Sequence, residues 1–140
     1  MVPVKYFAVI ASAVVMMILG GLWYGPIFGK QWASLMGWSD EHMKAQIAKG
    51  MAKNYTIMAL GALVMSFVLA HAVIFASAYL HVTGVSAGLQ AGFWNWLGFV
   101  VPVSLGSVLW DGKPWKLWLI NAGYWLVGLL LIGVLLAVWV

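Results

Sequence analysis

The sequence contains no cysteine and very few charged residues. The absence of thiols excludes a disulfide-bonded scaffold and any metal site built from thiolates. Charged residues make up 7% of the 140 residues and hydrophobic residues 65%, so the chain cannot cover itself with a surface that water solvates. Length and composition together predict a single domain, residues 1–140, that folds in a membrane.

Carboxylates are scarce, and all three of them, Asp40, Glu41 and Asp111, lie outside the long apolar stretches. This distribution argues against paired acid and base catalysis inside the membrane, and so against an enzyme. A metal site is equally unsupported, because His71 and His81 would lie about 15 Å apart along one helix. We therefore expect no catalytic residues, no metal and no cofactor.

Three stretches lack Asp, Glu, Lys and Arg: residues 6–29, 54–110 and 117–140. A membrane-crossing helix needs about 20 apolar residues. The first and third stretches therefore supply one span each, and the second supplies two, divided near His81 to Gly84. The predicted fold class is all-α, because backbone groups in hydrocarbon must be paired within their own helix. The expected spans are residues 4–24, 55–80, 86–110 and 117–139, with an interfacial segment at 25–54.

The first apolar stretch also resembles a removable signal peptide, because Ala11-Ser12-Ala13 has the composition of a cleavage site. The apolar run before these residues is too short for a signal peptide, and hydrophobicity continues well beyond them. We therefore expect this stretch to be a span.

All seven basic residues are lysines, and they lie beside the spans. Six of them fall in the two loops at one end of the predicted bundle, and Lys5 alone lies at the other end. By the positive-inside rule, residues 25–54 and 111–116 are cytoplasmic and both termini lie outside. Because topology explains the net charge of +4, we expect membrane lipids, anionic ones included, as partners rather than nucleic acid.

The first loop contains the aromatic and charged stretch WYGPIFGKQWASLMGWSDEHMKAQ. We expect Gly25-Pro26 to end the first helix, since proline lacks an amide donor. Ser39 can then cap an amphipathic interfacial helix whose apolar side carries Met43, Ile47 and Met51. This helix either only anchors the bundle and attracts anionic lipid, or it gates a path or docks a partner. The aromatic residues predict a belt at the membrane surface: Trp23, Tyr24, Phe28, Trp32, Trp38, Trp110, Trp115 and Trp118.

Small residues at regular spacing predict where the spans touch one another, since close approach stabilises helix pairs in lipid. The second span carries Ala62, Ser66 and Ala70, and the third begins with Gly84, Gly88 and Gly92. The fourth span spaces its glycines by five, which makes a poorer stripe: Gly123, Gly128 and Gly133. Pro102 is expected to kink the third span and to free a carbonyl that Ser104 or another helix satisfies.

One polar group of residues lies near the predicted middle of the bilayer. His71 in the second span and Asn95 in the third have similar depths and could meet, with Gln90 and Trp94 extending the site outward. An ionisable residue at that depth indicates a functional site. The alternative is that histidine and asparagine hydrogen-bond between helices only to hold their register.

Two further pairs are weaker candidates. Asn121 and Tyr124 share one face of the fourth span near the inner boundary, where a packing role is the alternative to a site. Asp111 and Lys113 belong to Trp110-Asp111-Gly112-Lys113-Pro114, a composition typical of a turn at the membrane surface.

Three longer segments carry a family resemblance: LWYGPIFGKQWASLMGW, GFVVPVSLGSVLWDGKPWKLWLINAGYWL and GVLLAVW. On these segments the chain resembles domain-of-unknown-function family 1761, a family of small bacterial integral membrane proteins. The most specific matches are Trp23 to Pro26, Phe28 to Lys30 and Ile120 to Tyr124. The resemblance implies a bacterial protein with four spans, and it implies no reaction.

The sequence favours a non-enzymatic protein of the bacterial inner membrane that self-associates and binds or passes a small molecule or lipid. Self-association is expected because four helices with many small-residue ridges can bury more surface by pairing. Two alternatives remain open. One is a proton-coupled transporter of small solutes that uses His71, and the other is a membrane enzyme that acts at the inner surface through Asp111, His42 or Glu41.

Overall fold

The structure is a computed structural model that describes residues 1–139. Within these residues the chain forms helices and short connections, and no strand. We number the helices as six elements in chain order: α1 (Tyr6–Ile27), α2 (Gly29–Met36), α3 (Asp40–Ala48), α4 (Ala52–Leu80), α5 (Gly84–Leu109) and α6 (Trp115–Val138).

Four of these helices, α1, α4, α5 and α6, are long and apolar enough to cross a membrane. This confirms the predicted fold class, all-α with four spans, and every observed end lies within three residues of the predicted one. Consecutive spans run in opposite directions, so residue 1, residue 139 and the turn at residues 81–83 share one end of the bundle, which we call the terminal end. The other end, the loop end, carries residues 28–51 and 110–114.

The prediction that Gly25-Pro26 ends the first helix is wrong. The helix continues to Ile27 by widening into a π-helical turn over Trp23–Ile27, with Pro26 inside it. In this turn the amide of Phe28 donates to the carbonyl oxygen of Trp23, five residues earlier, at 2.8 Å. Pro26 has no amide proton to donate, and the wider π-helical turn accommodates this missing hydrogen bond. The chain therefore bends without leaving the helix.

The first loop forms two short helices where one was predicted. Ser39 caps α3 as expected, since its Oγ accepts a hydrogen bond from the amide of His42 at 3.1 Å. The expected apolar stripe is wrong, because α3 ends at Ala48 and Met51 precedes α4 instead. The amphipathic pattern belongs to α2, which half-buries Trp32, Ala33, Leu35 and Met36 and exposes Lys30, Gln31 and Ser34.

Helix α5 also changes its hydrogen bonding along its length. Residues Trp96–Val100 form a π-helical segment, followed by two short α-helical pieces that meet at Leu105. Pro102 lies in the first of these pieces, so the third span is distorted where proline predicted it. Ser104 Oγ donates to the carbonyl oxygen of Val101 at 3.2 Å and thereby satisfies one backbone group of the distorted region.

Helices α5 and α6 approach each other until their backbones touch. A Cβ atom added at Gly88 would overlap the carbonyl group of Gly133, and one added at Gly92 would overlap that of Leu129. Only glycine fits at these two positions, because any side chain would overlap the backbone of α6. The third member of the predicted ridge, Gly84, plays another role, because it begins α5 with a φ of +61°.

Helix α1 packs against both α4 and α6. The predicted ridge of α4, Ala62, Ser66 and Ala70, is buried as expected. Ser66 and Ser12 of α1 are fully buried, and neither hydroxyl has a hydrogen-bond partner within residues 1–139.

The glycines of α6 are spaced by five because they meet different neighbours. Gly123 faces the ring of Trp23, Gly128 faces Met16, and Gly133 faces α5. A step of five residues turns the helix by about 140°. Glycines at this spacing therefore do not line up toward one helix, and those of α6 contact two, α1 and α5.

Candidate functional site

The π-helical turn of α1 is hydrogen-bonded to the first half of α6. The Oη of Tyr24 donates to Oδ1 of Asn121 at 2.8 Å, and Nε1 of Trp23 donates to the carbonyl oxygen of Ile120 at 3.0 Å. These residues are 97 positions apart in the sequence, so the contacts fix α1 against α6 near the loop end.

Tyr124 extends this contact toward the middle of the bundle. Its side chain is 6% exposed, and its Oη donates to the carbonyl oxygen of Met16 at 3.1 Å. The ring centroid of Tyr24 lies 5.3 Å from that of Tyr124, in an edge-on arrangement that aromatic pairs favour. Gly20 provides the space for this hydroxyl, since a Cβ there would lie 3.1 Å from it.

Helix α5 joins the same segment of α6 from another direction. Nε1 of Trp96 donates to the carbonyl oxygen of Ala122 at 2.8 Å. We call the five residues Trp23, Tyr24, Trp96, Asn121 and Tyr124 the junction cluster. Its four aromatic side chains each donate to an acceptor on another helix, so the arrangement is suited to bracing three helices rather than to chemistry.

Sequence reasoning found part of the junction cluster. Asn121 and Tyr124 were predicted as a pair, and the structure brings both to α1. The partners Tyr24 and Trp23 were assigned to an interfacial belt, because aromatic residues at the end of a span usually lie there. Nothing in the sequence pairs Trp96 with α6; only the folded contact reveals it.

His71 and Asn95 are not joined by a hydrogen bond within residues 1–139. Nδ1 of His71 lies 2.9 Å from the carbonyl oxygen of Phe67, one turn earlier on its own helix. Nδ2 of Asn95 likewise donates to the carbonyl oxygen of Ala91 at 2.8 Å. Each of these hydrogen bonds lies within one helix, and the ring of His71 lies between those of Phe67 and Phe75.

Gln90 and Trp94 lie on the side of α5 that faces away from α6. Nε2 of Gln90 donates to Oγ of Ser86 at 3.2 Å. Trp94 is 61% exposed. The buried residues of α5 are Ala87, Gly88, Ala91 and Gly92.

Asp111 and Lys113 form a turn at the loop end. The amide of Asp111 donates to the carbonyl oxygen of Gly106, and that of Lys113 donates to Ser107. Gly112 between them has a φ of +70°, which glycine adopts without strain.

A small apolar groove opens beside the junction cluster, between α1, α4 and α6. Its volume is about 120 Å³, and it is partly open to the outside of the bundle. We call it the methionine groove, because four of its eight lining residues are methionines: Met16, Met17, Met58, Gly61, Ala62, Met65, Tyr124 and Trp125. Tyr124 is therefore shared between the groove and the junction cluster.

A family model described as "Protein of unknown function (DUF1761)" matches residues 7–137, nearly the whole chain. The chain belongs to the DUF1761 family. The family resemblance inferred from the sequence is thereby confirmed, and the match contains both the junction cluster and the methionine groove. No curated protein and no solved structure is detectably similar to this DUF1761 chain.

Proposed function

We propose that this DUF1761 protein is a non-enzymatic membrane protein that binds part of a lipid acyl chain in the methionine groove. The groove itself is the observation that carries the proposal. It is lined by apolar side chains and is open on the flank that a membrane would surround, where Met58 is 48% exposed and Gly61 has no neighbour against its Cβ position.

The size of the groove selects the ligand class. An apolar cavity of about 150 Å³ holds a molecule as small as benzene, and drug-sized ligands need roughly 300–1,000 Å³. A groove of about 120 Å³ fits a short segment of a hydrocarbon chain whose remainder stays in the bilayer. Methionine side chains are flexible and polarizable, so they adapt to chains of different shape.

The proposed setting is the bacterial inner membrane, with the loop end in the cytoplasm. Six lysines and three carboxylates lie at or near the loop end, whereas Lys5 is the single charged side chain at the terminal end. Each lysine near an anionic surface contributes about 1 kcal/mol of attraction, so the loop end favours anionic headgroups. The same excess of lysine sets the orientation by the positive-inside rule.

The two alternative functions have less support from the geometry. A proton-coupled transporter would need His71 to face a path or a charged partner, and its Nδ1 is instead close to a carbonyl of its own helix. An enzyme acting at the inner surface would need neighbouring acid and base groups. Asp111 lies in the turn between α5 and α6, in a different loop from Glu41 and His42 on α3. Glu41 and His42 are adjacent on one helix, where side chains at i and i+1 do not face each other.

Photo-crosslinking with a phospholipid that carries a diazirine in its acyl chain tests the proposal. We expect adducts in reconstituted protein to concentrate on the groove residues Met17, Met58 and Met65. Gly61→Leu fills the groove and should reduce these adducts several-fold without unfolding the protein, because no atom lies within 4 Å of the Cβ position.

Gly98→Leu is the matched control, since Gly98 has the same free space and lies outside the groove. Its adducts should equal those of the wild type. Adducts spread evenly over all exposed apolar residues, or unchanged in Gly61→Leu, would rule out a binding groove.

A further inference from the structure

Helix α5 buries only the stripe that faces its neighbours. Of residues 84–109, only Ala87, Gly88, Ala91 and Gly92 are buried. The buried stripe of α5 consists of small residues, and the opposite face carries Ser86, Gln90, Phe93 and Leu97. We call these four residues the outer stripe.

The outer stripe has the spacing of a helix–helix contact. Its members are separated by four, three and four residues, which is the seam along which two helices pack at a small crossing angle. Phe93 is 39% exposed and Leu97 is 40% exposed, so both present large apolar surfaces on this seam. Ser86 is small and leaves room for close approach at the terminal end.

Gln90 makes this face unusual for a surface that contacts lipid. Within residues 1–139, its amide makes one side-chain hydrogen bond, from Nε2 to Oγ of Ser86 at 3.2 Å. A primary amide has two N–H donors and a carbonyl acceptor, so one donor and Oε1 stay available. Gln90 lies six residues into α5, about 9 Å along the helix, where hydrocarbon offers these groups no partner.

We infer that α5 pairs with α5 of a second copy of this chain about a two-fold axis, with the two Gln90 side chains hydrogen-bonded to each other. A two-fold axis brings the same residue of both copies together. An amide is self-complementary there, because each copy donates to the other and accepts from it. Phe93 and Leu97 then pack below the amides.

This pairing rests on the membrane setting proposed above and does not depend on the methionine groove. The groove is lined by α1, α4 and α6, whereas the outer stripe lies on α5. The loss of lipid adducts and the loss of pairing are therefore separate results.

Cysteine cross-linking in the full-length protein locates the contact, because the sequence has no cysteine of its own. Single cysteines are placed at residues 85–97 except Gly88 and Gly92, where a Cβ would overlap the backbone of α6. The variants are oxidised in reconstituted vesicles, and the yield of covalent dimer is measured. We expect maxima at positions 86, 90, 93 and 97. Equal yields along the helix, maxima on another face, or no dimer would overturn the assignment.

Energy transfer between labelled copies at varied protein-to-lipid ratio measures the strength of pairing. Gln90→Leu should weaken it by roughly 3- to 20-fold, as expected for loss of an interhelical hydrogen bond in a membrane. Val103→Leu is the matched control, since Val103 is 79% exposed on the same helix and outside the outer stripe. Unchanged pairing in Gln90→Leu, as hydration of the amide at the membrane surface would give, contradicts the proposed hydrogen bond.

Discussion

At the scale of single residues, hydrogen bonds within a helix and hydrogen bonds between helices have different consequences. His71 and Asn95 each bond to a carbonyl one turn earlier on their own helix, so these bonds join no two helices. Tyr24 and Asn121 bond across 97 residues of sequence. Among the polar side chains, those of the junction cluster therefore join one helix to another, whereas His71 and Asn95 do not.

A double-mutant cycle on Tyr24 and Asn121 measures their coupling. Tyr24→Phe and Asn121→Ala should each destabilise the protein, and the double variant should lose less than the two together. We expect a coupling of about 0.5–1.7 kcal/mol, the range found for hydrogen bonds between membrane helices. Thermal unfolding in a membrane mimic gives the values.

Tyr6→Phe is the control for this cycle, because Tyr6 is 67% exposed and its hydroxyl has no comparable partner within residues 1–139. It should leave stability unchanged. Strict additivity of Tyr24→Phe and Asn121→Ala would show that the bond does not form.

At the scale of elements, proline changes the hydrogen bonding of a helix, and glycine allows another backbone to approach it closely. The widened turn of α1 points Trp23 and Tyr24 toward α6. Gly29, two residues after this turn, must be glycine, because a Cβ there would lie 2.6 Å from the carbonyl oxygen of Tyr24. The local distortion of α1 thus positions the two side chains, Trp23 and Tyr24, that hydrogen-bond to α6.

Gly88→Ala tests the closest helix crossing. The added methyl group would overlap the carbonyl of Gly133, so α5 and α6 must separate. We expect a destabilisation of about 1–3 kcal/mol, as for an overpacked core. Unfolding by heat or denaturant in detergent measures it.

Gly98→Ala makes the same chemical change on the same helix in open space. Its stability should stay within about 0.5 kcal/mol of the wild type, as for most exposed substitutions. Equal effects of the two substitutions would contradict the backbone contact at Gly88.

At the scale of the whole molecule, the four long helices place residues 1 and 139 at one end and six of the seven lysines at the other. We propose that this separation of charge orients the protein with the loop end in the cytoplasm and attracts anionic lipid there.

Single cysteines report this topology directly, because the sequence has none of its own. Thr83→Cys lies in the turn at the terminal end, and Ser34→Cys lies on an exposed position of α2 at the loop end. In intact cells, a membrane-impermeant maleimide should label Thr83→Cys at once and Ser34→Cys only after permeabilisation. The reverse pattern would invert the orientation, and labelling of both from one side would refute the four crossings.

How much of this could be predicted from sequence depends on the range of the interaction. Span number and approximate ends follow from uncharged length, and the cap at Ser39 follows from local chemistry. The continuation of α1 through Pro26 could not be predicted, because the same dipeptide can end a helix or widen a turn. The prediction that Met51 belongs to the apolar side of the interfacial helix failed because α3 ends before it. Gly50, with a φ of +88°, separates α3 from α4.

The sequence by itself determined that this chain forms four apolar helices and belongs to its family, because hydrophobic length and short motifs are local properties of the chain. Only the tertiary structure decided which polar residues meet. It paired Tyr24 with Asn121, left His71 and Asn95 on their own helices, and placed a groove beside Tyr124. The physical reason is that these contacts depend on how each helix is rotated, and backbone approach at glycines such as Gly88 sets that rotation only when all four spans pack together.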